Sequence, residues 1–215
     1  MIISRGRRYI FVHIPKTGGT SLALALEARA MKDDILIGDT PKAMRRRGRV
    51  KALQGSGKLW KHSGLADIHG VVTDAEMAEY FVLTLVRNPW DRMVSYYRWL
   101  QLQGFNHPAV GLAKALKFDE FLRHERIQGS IGGAPYASYV TDSAGVERCE
   151  LFARIENLRD DLAPFEAHLG FSLDQIERVN TSPRNPDYRS YYSDADADIV
   201  ARMCHDDIAR FNYSF

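Results

Sequence analysis

Three stretches of the chain consist almost entirely of apolar residues, many of them β-branched or aromatic. They are residues 8–14 (Arg8-Tyr-Ile-Phe-Val-His-Ile14), residues 80–86 (Tyr80-Phe-Val-Leu-Thr-Leu-Val86) and residues 150–155 (Glu150-Leu-Phe-Ala-Arg-Ile155). Such residues favour strands, and the lack of regularly alternating polar positions indicates strands that are buried on both faces. The pattern therefore predicts three strands, and the first two are expected to be buried inside a sheet.

Segments with helical character separate these strands. Residues 22–28 are strong helix formers, and we expect Thr20 or Ser21 to cap that helix. Further helices are predicted from a capping box at Thr73–Glu76, from the apolar face Trp90, Met93, Val94 and Tyr97, from about Asn157 to Gly170, and from Ser193 with Val200, Cys204, Ile208 and Phe211 on one side. The alternation predicts an α/β fold, a single domain over residues 1–215 with a central parallel sheet flanked by helices.

The composition fits one globular domain. The 215 residues are 45% hydrophobic and 26% charged, and a chain of this length buries about 70% of its unfolded surface without disulfides or metal. No apolar run approaches the roughly 20 residues of a transmembrane helix, and residues 1–14 do not read as a signal peptide. Cys149 and Cys204 form no metal or redox spacing, so we expect a protein of the reducing cytoplasm.

The charge is distributed unevenly, although the net charge is only +2. Residues 40–66 contain no acidic side chain and eight basic ones, which are Lys42, Arg45, Arg46, Arg47, Arg49, Lys51, Lys58 and Lys61. A basic segment of this kind favours an anionic partner, such as a charged glycan, a phosphorylated cofactor or a nucleic acid. The alternative interpretation is a solvated loop.

The residues after the first strand have the character of a phosphate-binding loop. Lys16-Thr-Gly-Gly-Thr-Ser21 connects the strand to a helix, and the N-terminus of a helix attracts anions through its N–H groups and dipole. Gly18 and Gly19 allow the backbone to approach a ligand closely. The loop is not a Walker A motif, because Lys16 precedes the glycines instead of following them.

The second strand ends at Arg87, where a P-loop NTPase would carry an aspartate for magnesium. An arginine at this edge binds an anion, often through two hydrogen bonds, and Ser95 in the next helix could contact the same anion. Two anion sites then lie at the carboxyl ends of two strands, where open α/β sheets bind ligands. The sequence predicts a nucleotide with phosphates in two places, bound without metal.

Two segments resemble those of a known enzyme family. Residues 11–22 (Phe11-Val-His-Ile-Pro-Lys-Thr-Gly-Gly-Thr-Ser-Leu22) resemble the 5′-phosphosulfate loop of sulfotransferases, and residues 85–97 (Leu85-Val-Arg-Asn-Pro-Trp-Asp-Arg-Met-Val-Ser-Tyr-Tyr97) resemble their 3′-phosphate motif. Both are most similar to the carbohydrate branch that includes heparan sulfate 2-O- and 6-O-sulfotransferases and bacterial relatives. The C-terminal part of the chain also resembles that of the family, at Arg154–Leu158, Asn180–Ser182, Tyr191–Tyr192 and residues 207–215. Residues 30–57 and 104–145 match no known motif and are candidates for acceptor recognition.

The resemblance implies a P-loop-like sulfotransferase fold and roles for individual residues. The donor would be 3′-phosphoadenylyl sulfate (PAPS), the product 3′-phosphoadenosine 5′-phosphate (PAP), and the acceptor a hydroxyl, expected on a carbohydrate that can itself be anionic. Lys16 would stabilise the charge on the bridging oxygen, while Thr17, Gly18, Gly19, Thr20 and Ser21 would surround the 5′-phosphate. Arg87 and Ser95 would hold the 3′-phosphate, and Arg184 would close over the nucleotide.

The acceptor hydroxyl needs a general base, and His62 is the candidate. It lies between the two cofactor motifs, and its segment resembles the histidine-containing segment that supplies the base in the carbohydrate branch. An unperturbed histidine also titrates near neutral pH. Glu27 and Glu76 are alternatives, and His13 in the first strand is expected to be structural. None of the seven histidines lies in a zinc motif, so no metal is expected.

Two other functions fit parts of the pattern. A nucleoside or small-molecule kinase would use the same strand, loop and helix. Two features argue against it: Lys16 precedes the loop glycines, and Arg87 takes the place of the magnesium-binding aspartate. A nucleic-acid-binding protein would use the basic segment and show steep salt dependence, yet it leaves the two anion sites unexplained. We therefore expect no nucleic-acid partner.

Overall fold

A computed structural model describes residues 1–173, 176–177, 179 and 183–215. The strands are β1 (Ile2–Ser4), β2 (Tyr9–Val12), β3 (Ile35–Leu36), β4 (Phe81–Val86) and β5 (Leu151–Arg154). The α-helices are α1 (Gly19–Ala28), α2 (Pro41–Lys51), α3 (Asp74–Glu79), α4 (Pro89–Gln101), α5 (Pro108–Ala115), α6 (Phe118–Arg123), α7 (Glu125–Gly132), α8 (Tyr136–Tyr139), α9 (Leu158–Asp161), α10 (Ala163–Leu169), α11 (Asp194–Met203) and α12 (His205–Phe211). Short 3₁₀ turns occupy Ala66–Ile68, Ile155–Asn157 and Tyr188–Tyr191.

The α/β fold is confirmed, but the sheet is mixed and not wholly parallel. Its order is β3-β1-β2-β4-β5, with β2, β4 and β5 parallel and β1 antiparallel to both β2 and β3. Because only the four residues 5–8 connect β1 to β2, the connection is a hairpin, whereas parallel neighbours need a long crossover. The three predicted strands are present, while β1 and β3 are too short to produce a recognisable pattern.

One compact unit comprises residues 1–86 and 136–180 and contains the whole sheet. Strand residues such as Phe11 and Leu83 pack with Leu22 of α1 and Phe165 of α10 in one hydrophobic cluster. The residues that alternate with them are buried as well; Ile10, Val12 and Val82 each have 0% exposure. The prediction of buried strands is therefore confirmed for β2 and β4, whereas β5 is an edge strand whose last residue, Arg154, is exposed.

Residues 41–51 of the basic segment form α2, so the alternative interpretation as a loop is wrong for this part, whereas Lys58 and Lys61 lie outside any helix. Thr40 caps the helix by accepting a hydrogen bond from the Ala43 amide at 3.2 Å, and Pro41 occupies the first turn. Ala43 is the one buried residue of α2. The sequence therefore has almost no apolar stripe from which this helix could be predicted. The expected capping box of Thr73 and Glu76, in contrast, is present at the start of α3.

The second compact unit comprises residues 87–135 and 181–215. Its core includes the predicted face of α4, with Trp90, Met93, Val94 and Tyr97 all at most 6% exposed. The predicted final helix is divided at Cys204, where φ is −115°, into α11 and α12. No helix in the described part of the chain is long and apolar enough to cross a membrane.

Candidate functional site

The loop between β2 and α1 leads into a helix N-terminus that has no side-chain cap. The helix begins at Gly19 with Gly18 as N-cap in the left-handed region (φ 83°), so the expected cap at Thr20 or Ser21 is wrong. No side chain caps the helix, and its first turn has no acidic residue. The first N–H groups of a helix have no partner within it and carry the positive end of its dipole, so this terminus is suited to an anion.

Both glycines of the loop are required by their surroundings. A Cβ atom on Gly18 would lie 2.3 Å from the Cδ1 atom of Ile155, and one on Gly19 would lie 2.2 Å from the Cδ2 atom of His13. Lys16 also has a positive φ of 66°, a conformation that costs a non-glycine residue energy and clusters at functional sites. The loop thus has the close-approach geometry that the glycine pattern predicts.

The hydroxyl groups of the loop have partners within the chain. The Thr17 hydroxyl is buried and donates to the Ile14 carbonyl at 2.9 Å. The Ser21 hydroxyl accepts a hydrogen bond from the Val179 amide at 3.1 Å. These two side chains hold the shape of the loop, which the sequence interpretation had treated only as a set of ligand donors.

His62 lies in the same unit and is held from the end of β2. Its Nδ1 atom is 2.7 Å from the carbonyl oxygen of His13, and its ring meets the rings of His13 and Trp60 edge-on, with centroids 4.8 and 5.0 Å away. Burial lowers the pKa of His62 to about 4, against the opposing effect of the hydrogen bond to His13. The imidazole is therefore neutral at pH 7.

The turn that carries His62 is fixed by its neighbours. The Ser63 hydroxyl accepts from the Trp60 amide at 2.9 Å and lies 2.8 Å from the Lys58 carbonyl. Lys61 forms an ion pair with Asp39 at 2.5 Å. A side chain that is held in this way loses little entropy when it acts on a substrate.

The two glutamates considered as alternative bases have structural partners. Glu27 is buried in the last turns of α1, where the Thr40 hydroxyl donates to its carboxylate at 2.6 and 2.7 Å, and burial raises its pKa. Glu76 completes the cap of α3 and pairs with Arg5 at 2.7 Å. Its pKa is lowered to about 2, against the effect of partial burial, by the hydrogen bonds from Arg5 and Thr73, which makes it a poor base.

In the second unit, Arg87 and Arg184 share one carboxylate. The Arg87 Nε and Nη2 atoms lie 2.8 and 2.7 Å from Oδ2 of Asp91, and the Arg184 Nη2 atom lies 2.5 Å from its Oδ1. All three side chains are at most 18% exposed. Two guanidinium groups and one carboxylate leave a net charge of +1, which is suited to an anion.

The structure thus brings Arg87, predicted for the 3′-phosphate, together with Arg184, predicted to close over the nucleotide, and Ser95 lies in the same helix as Asp91. Ser95 is 8% exposed and lies one helical turn beyond Asp91 in α4. Arg98 of the same helix donates to the Pro183 carbonyl, at 3.2 Å from its Nη2 atom, and so fixes the chain before Arg184. The Asn180–Ser182 motif lies outside the described residues.

Asp91 and the carbonyl of His13 are functional groups that the sequence interpretation missed. The spacing of Arg87 and Asp91 is i,i+4, a signal of side-chain pairing on a helix that was available in the sequence. The hydrogen bond between His62 and the His13 carbonyl joins residues that are 49 positions apart in the sequence. No local sequence pattern predicts such a contact. Among the described residues, no group of three His, Cys, Asp or Glu side chains could hold a metal ion.

Comparisons with known proteins identify the family and the fold. The profile of a family described as "Sulfotransferase family" matches residues 1–214. Among solved structures, the crystal structure of mouse sulfotransferase SULT7A1 complexed with PAP is similar, with a TM-score of 0.55 and 16% sequence identity, over 98% of this chain and 87% of that one. No curated protein matches the chain significantly. The match over nearly the whole length shows that the chain belongs to the sulfotransferase family.

Proposed function

We propose that this sulfotransferase transfers a sulfonate group from PAPS to a hydroxyl group of a carbohydrate, with residues 1–215 acting as one catalytic domain. The observation that carries the proposal is the hydrogen bond between His62 and the His13 carbonyl. It attaches a neutral histidine to the strand end that continues, three residues later, into Lys16. The candidate base and the candidate anion loop are therefore built on the same short segment.

The donor fits the residues at both anion sites. Lys16 and residues 17–21 would hold the 5′-phosphate at the uncapped start of α1, where Gly18 and Gly19 leave room for a ligand. Arg87, with Ser95 and Arg184, would hold the 3′-phosphate through the surplus positive charge around Asp91. The solved relative complexed with PAP has the same fold, which supports this choice of nucleotide.

The residues of the chain would contribute positioning, proton removal and charge stabilisation. PAPS supplies an activated sulfonate whose S–O bond to the 5′-phosphate breaks as the acceptor oxygen bonds to sulfur. The Nε2 atom of His62 would accept the proton of the acceptor hydroxyl. Lys16 would stabilise the negative charge that the bridging oxygen receives. Positioning and electrostatics carry most of such a transfer.

A carbohydrate acceptor is supported by Trp60. Its side chain is 46% exposed although it contacts the His62 ring, and an exposed aromatic ring offers a surface on which the apolar face of a sugar can stack. Lys58 lies 5.8 Å above the same ring.

The charge around Trp60 favours an acidic glycan over a neutral one. Of the eight basic residues between positions 40 and 66, Lys61 has a carboxylate partner, and no other forms an ion pair within the described part of the chain. Arg46 donates to the Met31 carbonyl at 2.8 Å, and this acceptor carries no formal charge. Cys149 and Cys204 are not joined by a disulfide, which fits a reducing compartment, and we propose the cytoplasm.

Transfer of radiolabel from [³⁵S]PAPS tests the proposal. We expect labelling of a polyuronate such as polygalacturonate, weaker labelling of dextran as a neutral control, full activity in EDTA and loss of activity in His62→Ala. Binding of PAP without labelling of any polysaccharide would contradict the carbohydrate acceptor alone. Magnesium-dependent transfer from [γ-³²P]ATP would instead favour the kinase.

A further inference from the structure

His13 is a buried polar residue whose ring forms no hydrogen bond with the described part of the chain. The residue is 7% exposed, and its carbonyl oxygen holds His62. Within the residues that the structure describes, neither ring nitrogen takes part in a hydrogen bond; the contacts of the ring are with other rings. The ring nitrogens are therefore available to a bound ligand, and few polar groups of such largely buried side chains remain without a partner in native proteins.

The ring of His13 lies between the start of α1 and the His62 ring. Its Nε2 atom is 2.6 Å from the position that a Cβ atom of Gly19 would take, so the ring occupies the space beside the first residue of the helix. Its centroid is 4.8 Å from that of His62, at an interplanar angle of 75°. On the other side it stacks on Phe11, with centroids 5.9 Å apart, which fixes the ring plane.

The His13 imidazole is neutral. Burial lowers its pKa well below the usual value, and the positive charges of Lys61 and Lys16 act in the same direction. A neutral imidazole has one N–H donor and one acceptor nitrogen. It can therefore donate a hydrogen bond to an anion without bringing a second full charge next to His62.

We propose that His13 is a further catalytic residue, whose ring N–H donates a hydrogen bond to a sulfonate oxygen of the bound donor. The inference rests on the proposed function above. The 5′-phosphate belongs at the start of α1, and the sulfonate attached to it must face the base that prepares the acceptor. His13 is in contact with both places, since its ring lies against Gly19 and against His62.

The experiment compares the affinities of PAPS and PAP in the absence of acceptor. PAP lacks the sulfonate, so a contact to that group affects PAPS alone. We expect His13→Phe, which keeps a ring but removes both nitrogens, to weaken PAPS roughly tenfold or more, as for a hydrogen bond to a charged group, and PAP less than twofold. His13→Gln places an N–H donor near the same point and should retain most of the PAPS affinity.

The controls separate this role from a structural one. His205→Gln changes an exposed histidine (79% side-chain exposure) and should leave both affinities unchanged. If His13→Phe fails to fold, His13→Leu is the second nitrogen-free variant. In the wild-type protein, the ¹⁵N resonances of the His13 imidazole should shift on addition of PAPS but not in the same way with PAP, a measurement that needs no variant.

Each result decides between the proposals. Equal losses of PAPS and PAP affinity in the nitrogen-free variant, or no loss of either, together with identical ¹⁵N shifts for the two nucleotides, would overturn the role of His13 and leave the sulfotransferase proposal intact. Failure of the wild-type protein to bind either nucleotide would overturn both. A changed ratio of the two affinities supports the sulfonate contact.

Discussion

The Nδ1 atom of His62 lies 2.7 Å from the carbonyl oxygen of His13. Because a carbonyl oxygen only accepts hydrogen bonds, Nδ1 of the neutral ring must carry the proton. The lone pair is then on Nε2, which forms no hydrogen bond within the described residues. The contact selects the tautomer that a general base needs, and in enzymes with a catalytic histidine a second group commonly has this orienting role.

Removal of the His62 side chain should affect turnover and leave nucleotide binding intact. We expect His62→Ala to lower kcat about 10²–10⁴-fold, the usual contribution of a positioned base, with the affinity for PAP unchanged. His69→Ala is the matched control, because His69 lies in the same segment and its side chain is 51% exposed. A His62→Ala enzyme with most of its turnover would move the role to another group, and Glu76 and Glu27 would be tested next.

The pH dependence of the rate should reflect the buried environment of His62. Since burial lowers its pKa to about 4, kcat/KM should fall only as the pH approaches 4 and not near 6.5. A bound anionic donor favours the protonated ring, so the acidic limb of kcat should lie at higher pH than that of kcat/KM. An acidic limb that persists unchanged in His62→Gln would show that another group causes it.

Stability should also decrease on acidification. His62 has an ordinary pKa of 6.5 when unfolded and about 4 when folded, so the unfolded chain binds more protons in this interval. Its contribution is fully present above pH 6.5 and is lost as the pH falls to 4, by at most about 3.5 kcal/mol at roughly 1.4 kcal/mol per pKa unit. Thermal unfolding should show a shallower decline for His62→Gln; parallel curves would contradict the assignment.

Arg87 should determine the preference for a nucleotide with a 3′-phosphate. We expect Arg87→Ala to weaken PAP by one to two orders of magnitude, because a hydrogen bond to a charged group contributes about 1.5–3 kcal/mol. Adenosine 5′-phosphate should bind both proteins equally. Arg189→Ala serves as control, since Arg189 is an exposed arginine of the same unit (53% side-chain exposure). Equal stabilisation of the wild-type protein by both nucleotides would refute the 3′-phosphate site.

Lys16 should matter more for turnover than for binding. If it acts on charge that develops as the S–O bond breaks, Lys16→Ala should lower kcat much more than it weakens PAP. Rapid-mixing turnover at saturating PAPS, compared with calorimetric PAP affinity, separates the two effects. A variant that loses affinity while its saturated rate is intact would make Lys16 a simple phosphate contact.

The sequence predicted those features that arise within a short segment. The strands β2, β4 and β5 were evident because each is a continuous apolar run, and the glycine loop was evident because its chemistry lies within six residues. The hairpin of β1 was not, since three residues (Ile2–Ser4) carry too little pattern. Helix α2 was missed because its stability comes from its cap and flanks, with one buried side chain.

The candidate site was predictable in its residue types but not in its connections. Lys16, Arg87 and His62 could be named from motifs and resemblance. The shared carboxylate of Asp91 and the carbonyl that orients His62 depend on how distant segments pack. These contacts are formed by the tertiary fold, and a residue pattern along the chain does not contain them.

The contact between Gly19 and His13 has a consequence for how this site can change by mutation. The two positions share one volume: a methyl group at position 19 would overlap the imidazole at position 13. Gly19→Ala should therefore be tolerated only after the residue at position 13 has become smaller, whereas the opposite order of mutations passes through a clash. The order of the two substitutions is thereby constrained, and a library that varies the positions one at a time would miss the permitted combinations.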